Sequence, residues 1–241
     1  MHKLQSAFLC NDTKFVKMDK KQYYKDAFSR IDDEKKNKIL EVGIEEFSAN
    51  GYENANINII AKKAGISIGL MYKYFATKED LFMTCLKRGM DILEKALYDI
   101  MISDDKLLVK AEKLIRTICM HSKKHSNYIK MYNEICAEKG SEDKIRTMAD
   151  EIESKRSSIY ISTIEKALAN DEVRADLDPG LFAYFLDNLL TTLQFSYTCD
   201  YYREKLKIYT GIDVNESSEE QIMIQLLKFI ESAFSFGKQA R

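Results

Sequence analysis

The chain of 241 residues holds one proline, nine glycines and no tryptophan. So few turn-forming residues leave little material for many short strands joined by tight turns, and an all-α fold is expected. No apolar run approaches the roughly 18 residues that a membrane helix needs. The opening MHKLQSAFLCNDTK has no extended apolar stretch behind its charge, so no targeting segment, no membrane partner and a cytoplasmic location are expected. The five cysteines (Cys10, Cys85, Cys119, Cys136, Cys199) are an odd set without a Cys-x-x-Cys pair, which excludes a disulfide framework or a zinc finger. Most of them are expected to be small buried apolar side chains. No phosphate loop, Ser/His/Asp arrangement or carboxylate pair stands at a motif spacing, so neither enzymatic activity nor a cofactor is expected.

What is present is 45% hydrophobic residues and an almost balanced charge of −1, the composition of a packed helical chain. The balance hides an asymmetry. Positions 1–90 carry 16 basic against 12 acidic side chains, net +4, and positions 91–241 carry 21 against 26, net −5. A basic front half suits contact with phosphates, because Lys and Arg gain affinity by displacing condensed counterions.

Periodicity and caps divide the chain. Residues 1–31 read as an extension that ends in an amphipathic turn bearing Tyr24, Phe28 and Ile31; its lysines (Lys14, Lys17, Lys20, Lys21, Lys25) read as solvated. Asp32-Asp33-Glu34 opens a helix with an inward stripe of Ile39, Leu40, Gly43 and Phe47, stopped at Asn50-Gly51. Two short helices follow, 57–64 and 68–75. Gly65 stands where the first needs a left-handed terminus, and Ser67 where the second needs a hydroxyl for an orphan amide. Thr77 caps a long helix to about Ile102. Further helices are expected from Asp104 or Asp105 to about Cys119, from Ser126 to about Ala137, and from Ser141 to about Leu168. Asp178-Pro179 starts another with a wide apolar face, and the last begins near Glu219. The expected total is about nine helices after the extension.

Gly65-Ile66-Ser67-Ile68-Gly69-Leu70-Met71-Tyr72-Lys73-Tyr74-Phe75, followed by Thr77-Lys78-Glu79-Asp80-Leu81, resembles the helix-turn-helix of the TetR family of transcriptional regulators. Ile39-Leu40, Phe47 and Asn50-Gly51-Tyr52 are similar to that family's first helix, and Ile60-Ala61-Lys62-Lys63-Ala64-Gly65 to its second, so the likeness covers about residues 33–82. The resemblance implies a helix-turn-helix DNA-binding domain over 32–78 and a larger helical ligand-binding and dimerisation domain over 79–241. It implies a homodimer on a palindromic duplex DNA operator, most simply as a repressor released by an apolar or amphipathic small molecule. The competing expectation is a helical ligand-binding or enzymatic protein whose front module docks another protein.

A helix in the major groove presents its N-terminal side chains to base edges while flanking elements grip phosphates. That assigns Ser67, Ile68, Gly69 and Leu70 to the reading turn, Tyr72, Lys73 and Tyr74 to phosphate contacts, and Thr77 with Lys78 to a clamp at a helix N-terminus. By resemblance the start of the preceding helix adds Asn56, Ile57 and Asn58, with Asn58 able to pair an adenine edge. Met71 and Phe75 face the module's own core. Two departures from the family pattern stand out: Ile68 where a basic residue is common, and Leu70 where a small one is. No arginine lies between Arg30 and Arg88, so the forked donor that reads guanine is missing and an A·T-rich operator is expected.

In the larger domain Met90, Tyr98, Met120, Tyr128, Met131, Tyr132, Tyr160 and Phe185 are candidates for an adaptable ligand pocket, and the net −5 charge tilts the expected ligand toward cationic amphipaths. Phe182, Phe185, Leu186, Leu189, Leu193, Ile222, Leu226, Ile230 and Phe234 are candidates for the dimer interface. His121 and His125 stand one turn apart near Cys119, but 122–126 reads as a connector, so no metal site is expected.

Overall fold

The computed structural model describes residues 22–136, 143–214 and 216–234. Among these residues the chain is helical throughout, without strands: α1 (Asp26–Ser29), α2 (Asp33–Asn54), α3 (Ile57–Ala64), α4 (Ile68–Tyr74), α5 (Lys78–Ile102), α6 (Leu107–Lys124), α7 (Ser126–Cys136), α8 (Asp143–Ala169), α9 (Pro179–Ser196), α10 (Asp200–Thr210) and α11 (Glu216–Phe234). The all-α expectation holds. Two helices exceed the expected nine: α1, which is the amphipathic turn of the extension, and α10. No side chain of α10 is buried, so it carries no inward stripe for a sequence pattern to reveal.

The caps explain why the front elements begin and end where they do. Asp32 accepts from the Lys35 amide, Ser67 from that of Leu70, and Asp178 from that of Leu181. Thr77 and Asp80 form a reciprocal capping box at the start of α5. Gly65 ends α3 in the left-handed conformation. At α6 the cap expected from Asp104 or Asp105 comes from far away instead: Glu172 accepts from the Leu107 amide at 2.8 Å, while Asp105 pairs with Lys113. The Ser141 start expected for α8 lies outside the described residues.

Two apolar clusters form the interior. The first joins α1 to α5 with α7, the start of α8 and Phe195 of α9; the second joins α6, α8, α9 and α11. The front cluster therefore runs past position 78, and α2 packs along α7 more extensively than any other described pair of helices. The extension is also more than a solvated lead. Phe28 is buried against Tyr74 and Phe75, and Lys25 donates its backbone amide to the Tyr74 carbonyl at 2.8 Å and its ammonium to the Tyr72 carbonyl at 2.9 Å. Lys14, Lys17, Lys20 and Lys21 lie outside the described residues. Cys85 and Cys119 are buried as expected, Cys199 is half-buried and Cys136 is exposed; Cys10 lies outside the described residues. Burial pushes the Cys85 thiol well up and that of Cys119 to about 11, so neither is a ready nucleophile.

Candidate nucleic-acid interface and interior cavity

The short helix α4 is anchored by its inner face. Met71 is fully buried and Tyr74 nearly so, while Phe75 seals the turn behind them. The same rotation leaves Ser67, Ile68, Gly69, Tyr72 and Lys73 exposed on one outer face, with Tyr72 at 46% relative exposure. A Cβ at Gly69 would meet nothing within 4 Å, so no internal packing requires a glycine there. Gly inside a helix costs about 0.5–1 kcal/mol relative to Ala, and the bare backbone instead leaves room for close approach from outside.

Beside α4, the start of α3 presents Asn56 and Asn58, both exposed. The Asn56 side chain caps α3 by accepting from the Asn58 amide at 2.9 Å, which leaves Asn58 as the side chain free for a base edge. Ser67 and Thr77 also act as caps, and as hydroxyls each keeps a hydrogen to donate. Two expected contacts are corrected. Tyr74 and Ile57 are buried and cannot reach a duplex, because Tyr74 packs on Phe28 and Ile57 joins the front core. Leu70 is half-buried against that core. Lys78, half-exposed, donates its ammonium to the Glu53 carbonyl at 3.0 Å and lies 4.7 Å from the Tyr52 ring centroid, so it holds the end of α2. Glu46 completes that junction: it is buried, accepts from the Asn56 amide and pairs with Lys63.

Deeper in the protein, a narrow cavity with about 40 Å³ of free volume lies between α5, the α6–α7 junction, α8 and α9. Leu86, Met90, Ile92, Leu93 and Ile129 give it apolar walls; Arg156, Gln194, His121, His125, Tyr128 and Tyr132 give it polar ones. Met90, Tyr128 and Tyr132 were expected here. Met131 is buried in the front cluster, Tyr160 belongs to the rear cluster, and Met120 and Phe185 are exposed, each at 57%. The side chain of Tyr98 lies outside the described residues. A larger hollow of about 780 Å³ is an open groove between the extension, α2 and α5, not an interior site.

Sequence patterns missed Arg156 and Gln194, although a signal existed, and considered the two histidines only as metal ligands. Arg156 falls at the four-residue spacing of the buried positions Ile152, Tyr160 and Ile164, and Gln194 continues Leu186 and Leu190. A polar residue inside an apolar stripe marks a cavity wall or a buried pair. Here it is both: Arg156 donates to the Tyr132 hydroxyl and to Glu153 and lies 2.9 Å from Asp187. Burial raises the Asp187 carboxyl above the usual range, against the opposing pull of Arg156. The two histidine rings stack with centroids 5.1 Å apart, since α6 runs to Lys124 and α7 starts at Ser126, without the connector expected. Burial lowers both histidine pKa values, and the neighbouring Lys124 lowers them further, as does His125 for His121, so both rings favour the neutral form. No group of three metal-ligating side chains occurs among the described residues.

The sequence of residues 39–84 matches the profile of bacterial regulatory proteins of the tetR family. Over this module, about a fifth of the chain, the protein is similar to the TetR family. Among curated TetR-type relatives, the fatty acid metabolism regulator protein of Bacillus subtilis (strain 168) is 34% identical over 84 residues, 34% of this chain and 41% of that protein. The regulator HbdR of Aromatoleum sp. (strain CIB) is 32% identical over 68 residues, 28% of this chain and 30% of that one. The matched stretch thus spans less than half the length of these relatives. Whole-chain likeness is a likeness of fold. Bacillus subtilis FadR in complex with stearoyl-CoA aligns with a TM-score of 0.63 at 19% identity, over 82% of this chain and 98% of that one. AibR in complex with isovaleryl coenzyme A and operator DNA aligns at 0.62 and 15% identity, over 81% and 97%.

The rear helices correct the expected interface. Leu186, Leu193, Ile230 and Phe234 are buried in the subunit's own core, and Phe182 packs on Phe234 with ring centroids 4.3 Å apart. Leu189, Ile222 and Leu226 are half-buried, and only Phe185 of the expected set is exposed. The exposed apolar side chains are instead Leu181, Tyr184 and Phe185 on α9, Tyr201, Ile208 and Tyr209 on α10, and Ile224 and Phe229 on α11. A broad stripe shows that a helix is buried on two flanks, but its periodicity does not say which flank faces which neighbour.

Proposed function

We propose that the chain is a ligand-responsive, DNA-binding transcriptional repressor that acts as a homodimer. The observation that carries this reading is the outer face of α4: exposed Ser67, Ile68, Gly69, Tyr72 and Lys73 on a helix whose opposite face is locked into the core. Ile68 supplies methyl contacts to thymine, Asn58 pairs an adenine edge, and Tyr72, Lys73, Thr77 and Ser67 hold phosphates. With no forked guanidinium in the module, the operator is A·T-rich. A two-fold dimer sets two copies of α4 on a palindrome with half-sites about 34–36 Å apart, or a multiple of that. The exposed apolar side chains of α9, α10 and α11 form the surface that the second copy covers.

The effector enters between α5 and α7. At about 40 Å³ the cavity holds little more than water, whereas ligand sites span about 300–1,000 Å³, so binding has to spread its walls. Its apolar side suits an acyl chain and its cationic side, Arg156, suits an acidic or carbonyl oxygen. This reverses the cationic ligand suggested by the domain's net charge, because surface acids set that total and the cavity wall does not share it. The structures of FadR with stearoyl-CoA and AibR with isovaleryl coenzyme A support an acyl thioester as the class to try. Opening the cavity moves α5, which joins the reading head to the rear helices, and changes the spacing of the two heads. The ligand acts only through its different affinity for the two shapes.

A mobility shift on the DNA upstream of the chain's own gene, at two salt concentrations, tests the reading. Specific retention that falls steeply with salt is expected; no retention, with tight binding of a protein partner through the α4 face, overturns it in favour of a docking module.

A further inference from the structure

Helix α2 breaks at Gly51, where φ is 74° and ψ 167°. This combination is open essentially to glycine alone. The break is held at Tyr52 by a residue 82 positions further along the chain. Glu134 on α7 accepts from the Tyr52 amide at 2.7 Å, and a Cβ at Gly51 would stand 2.9 Å from the same Glu134 Oε1. A bare α-carbon and a carboxylate are fitted to each other between α2 and α7.

The Tyr52 side of this contact reaches the DNA face in a few steps. The Tyr52 ring packs on Phe82 and lies under the Lys78 ammonium, and Lys78 donates to the carbonyl of Glu53, two residues before the Ala55 that leads into α3. The Glu134 side reaches the cavity within two turns. Tyr128 and Tyr132 of α7 line it, and Tyr128 lies against α5 so closely that a Cβ at Gly89 would fall 2.1 Å from its ring. A single helix thus bears the cavity wall at one end and the grip on the head at the other.

We propose that Glu134 is a positioning residue that couples the cavity to the reading head. When the cavity opens, α7 is displaced along with Tyr128 and Tyr132, the Glu134 carboxylate leaves the Tyr52 amide, and the end of α2 that orients α3 and α4 is released. This inference rests on the regulatory reading above, yet its core is measurable without DNA.

Three full-length variants test it: Glu134→Ala, Glu134→Gln and Met90→Trp, the last filling the cavity from α5, with Met90→Phe as the milder replacement should the larger ring prevent folding. Hydrogen exchange at the Tyr52 amide is the direct readout, and retention of the DNA upstream of the gene is the second. Glu134→Ala is expected to speed Tyr52 exchange at least about tenfold, whereas Glu134→Gln, which keeps an acceptor oxygen at the same reach, restores most of the protection. Cavity filling is expected to speed the same amide in the natural background and to add little once Glu134 is alanine. Equal exchange in the natural and alanine chains, or an amide that ignores the filled cavity, overturns the coupling; so does a filling effect of the same size in both backgrounds. Tyr52 responding as stated while no form retains DNA leaves the coupling standing and removes the regulator reading instead.

Discussion

The two apolar clusters differ in how far one subunit completes them. The front cluster closes on itself: Phe47, Phe75, Phe82, Ile60 and Met71 are all essentially inaccessible, and the apolar side chains left outside, Ile59, Ile68 and Tyr72, belong to the two short helices of the helix-turn-helix. The rear cluster is built from helices that bury one flank and leave the other open, with Tyr184, Phe185 and Phe229 each more than half exposed, as are Tyr201, Ile208 and Tyr209 of α10, which buries no side chain. The difference teaches that the front cluster, which draws α7, the start of α8 and Phe195 onto α1 to α5, is finished within one subunit and the rear is half-finished. Exposed apolar area on that scale marks an association surface, while exposed apolar side chains on a closed head mark a contact with something narrower.

The comparison is broken most severely from the front. Phe82 packs edge-on against both Phe47 and Tyr52, with centroids 5.1 Å away in each case. Phe82→Ala is expected to cost about 3–5 kcal/mol, and denaturant unfolding monitored by circular dichroism measures it. A loss under about 1 kcal/mol would mean that the front core is looser than its burial shows.

The rear answers differently. Changing Phe185 and Phe229 together to serine removes exposed rings rather than core, so the heat stability of the single subunit changes little. Sedimentation is expected to show monomers at concentrations where the natural chain is a dimer. If the double variant still sediments as a dimer, α9 and α11 do not form the interface.

At the DNA face, Gly69→Ala separates folding from function. Adding a methyl group in open space is expected to stabilise α4 by about 0.5–1 kcal/mol while weakening operator retention by about tenfold, a loss of about 1.4 kcal/mol in binding. A variant that is both more stable and equally competent for DNA would show that the bare backbone serves no close approach.

The smallest effect concerns the stacked histidines. Their pKa values are lowered in the folded chain, so below about pH 6.5 the unfolded chain binds more protons and folding stability falls with acidity. Lys124 adds to the cost of charging the pair. The thermal midpoint is expected to drop on acidification through this range, and less so with His121→Gln and His125→Asn together. An identical pH dependence in both chains would place the acid sensitivity elsewhere.

The sequence made the finished half easy to read because its features are local. Gly65, Ser67 and Thr77-Asp80 each fix a helix end through groups within a few residues, and all three behave as their chemistry requires; in the rear the one equally local signal, Asp178-Pro179, does the same for α9. What escaped was set by distant partners. Glu172 caps α6 from sixty-five residues away, Glu134 holds Tyr52 from eighty-two, and Lys78 is held by carbonyls twenty-odd residues earlier. Tyr74 and Ile57 were placed on the outer face because the extension that covers Tyr74, and the packing of α3, depend on tertiary contacts. The interface residues failed for a related reason: Leu186 and Phe185 are neighbours in sequence, and only the neighbouring helices decide which of them faces inward.

Everything turns on whether the exposed side of α4 reads DNA as one half of a two-fold pair. Selection from a pool of random duplexes with the full-length chain tests this most directly. The account predicts an enriched inverted repeat, A·T-rich at the contacted steps, whose half-sites are centred about 10–10.5 base pairs apart or a multiple of that, and an Ile68→Ala chain that loses preference at one position in each half. No enrichment, or a G·C-rich sequence without two-fold symmetry, would contradict it.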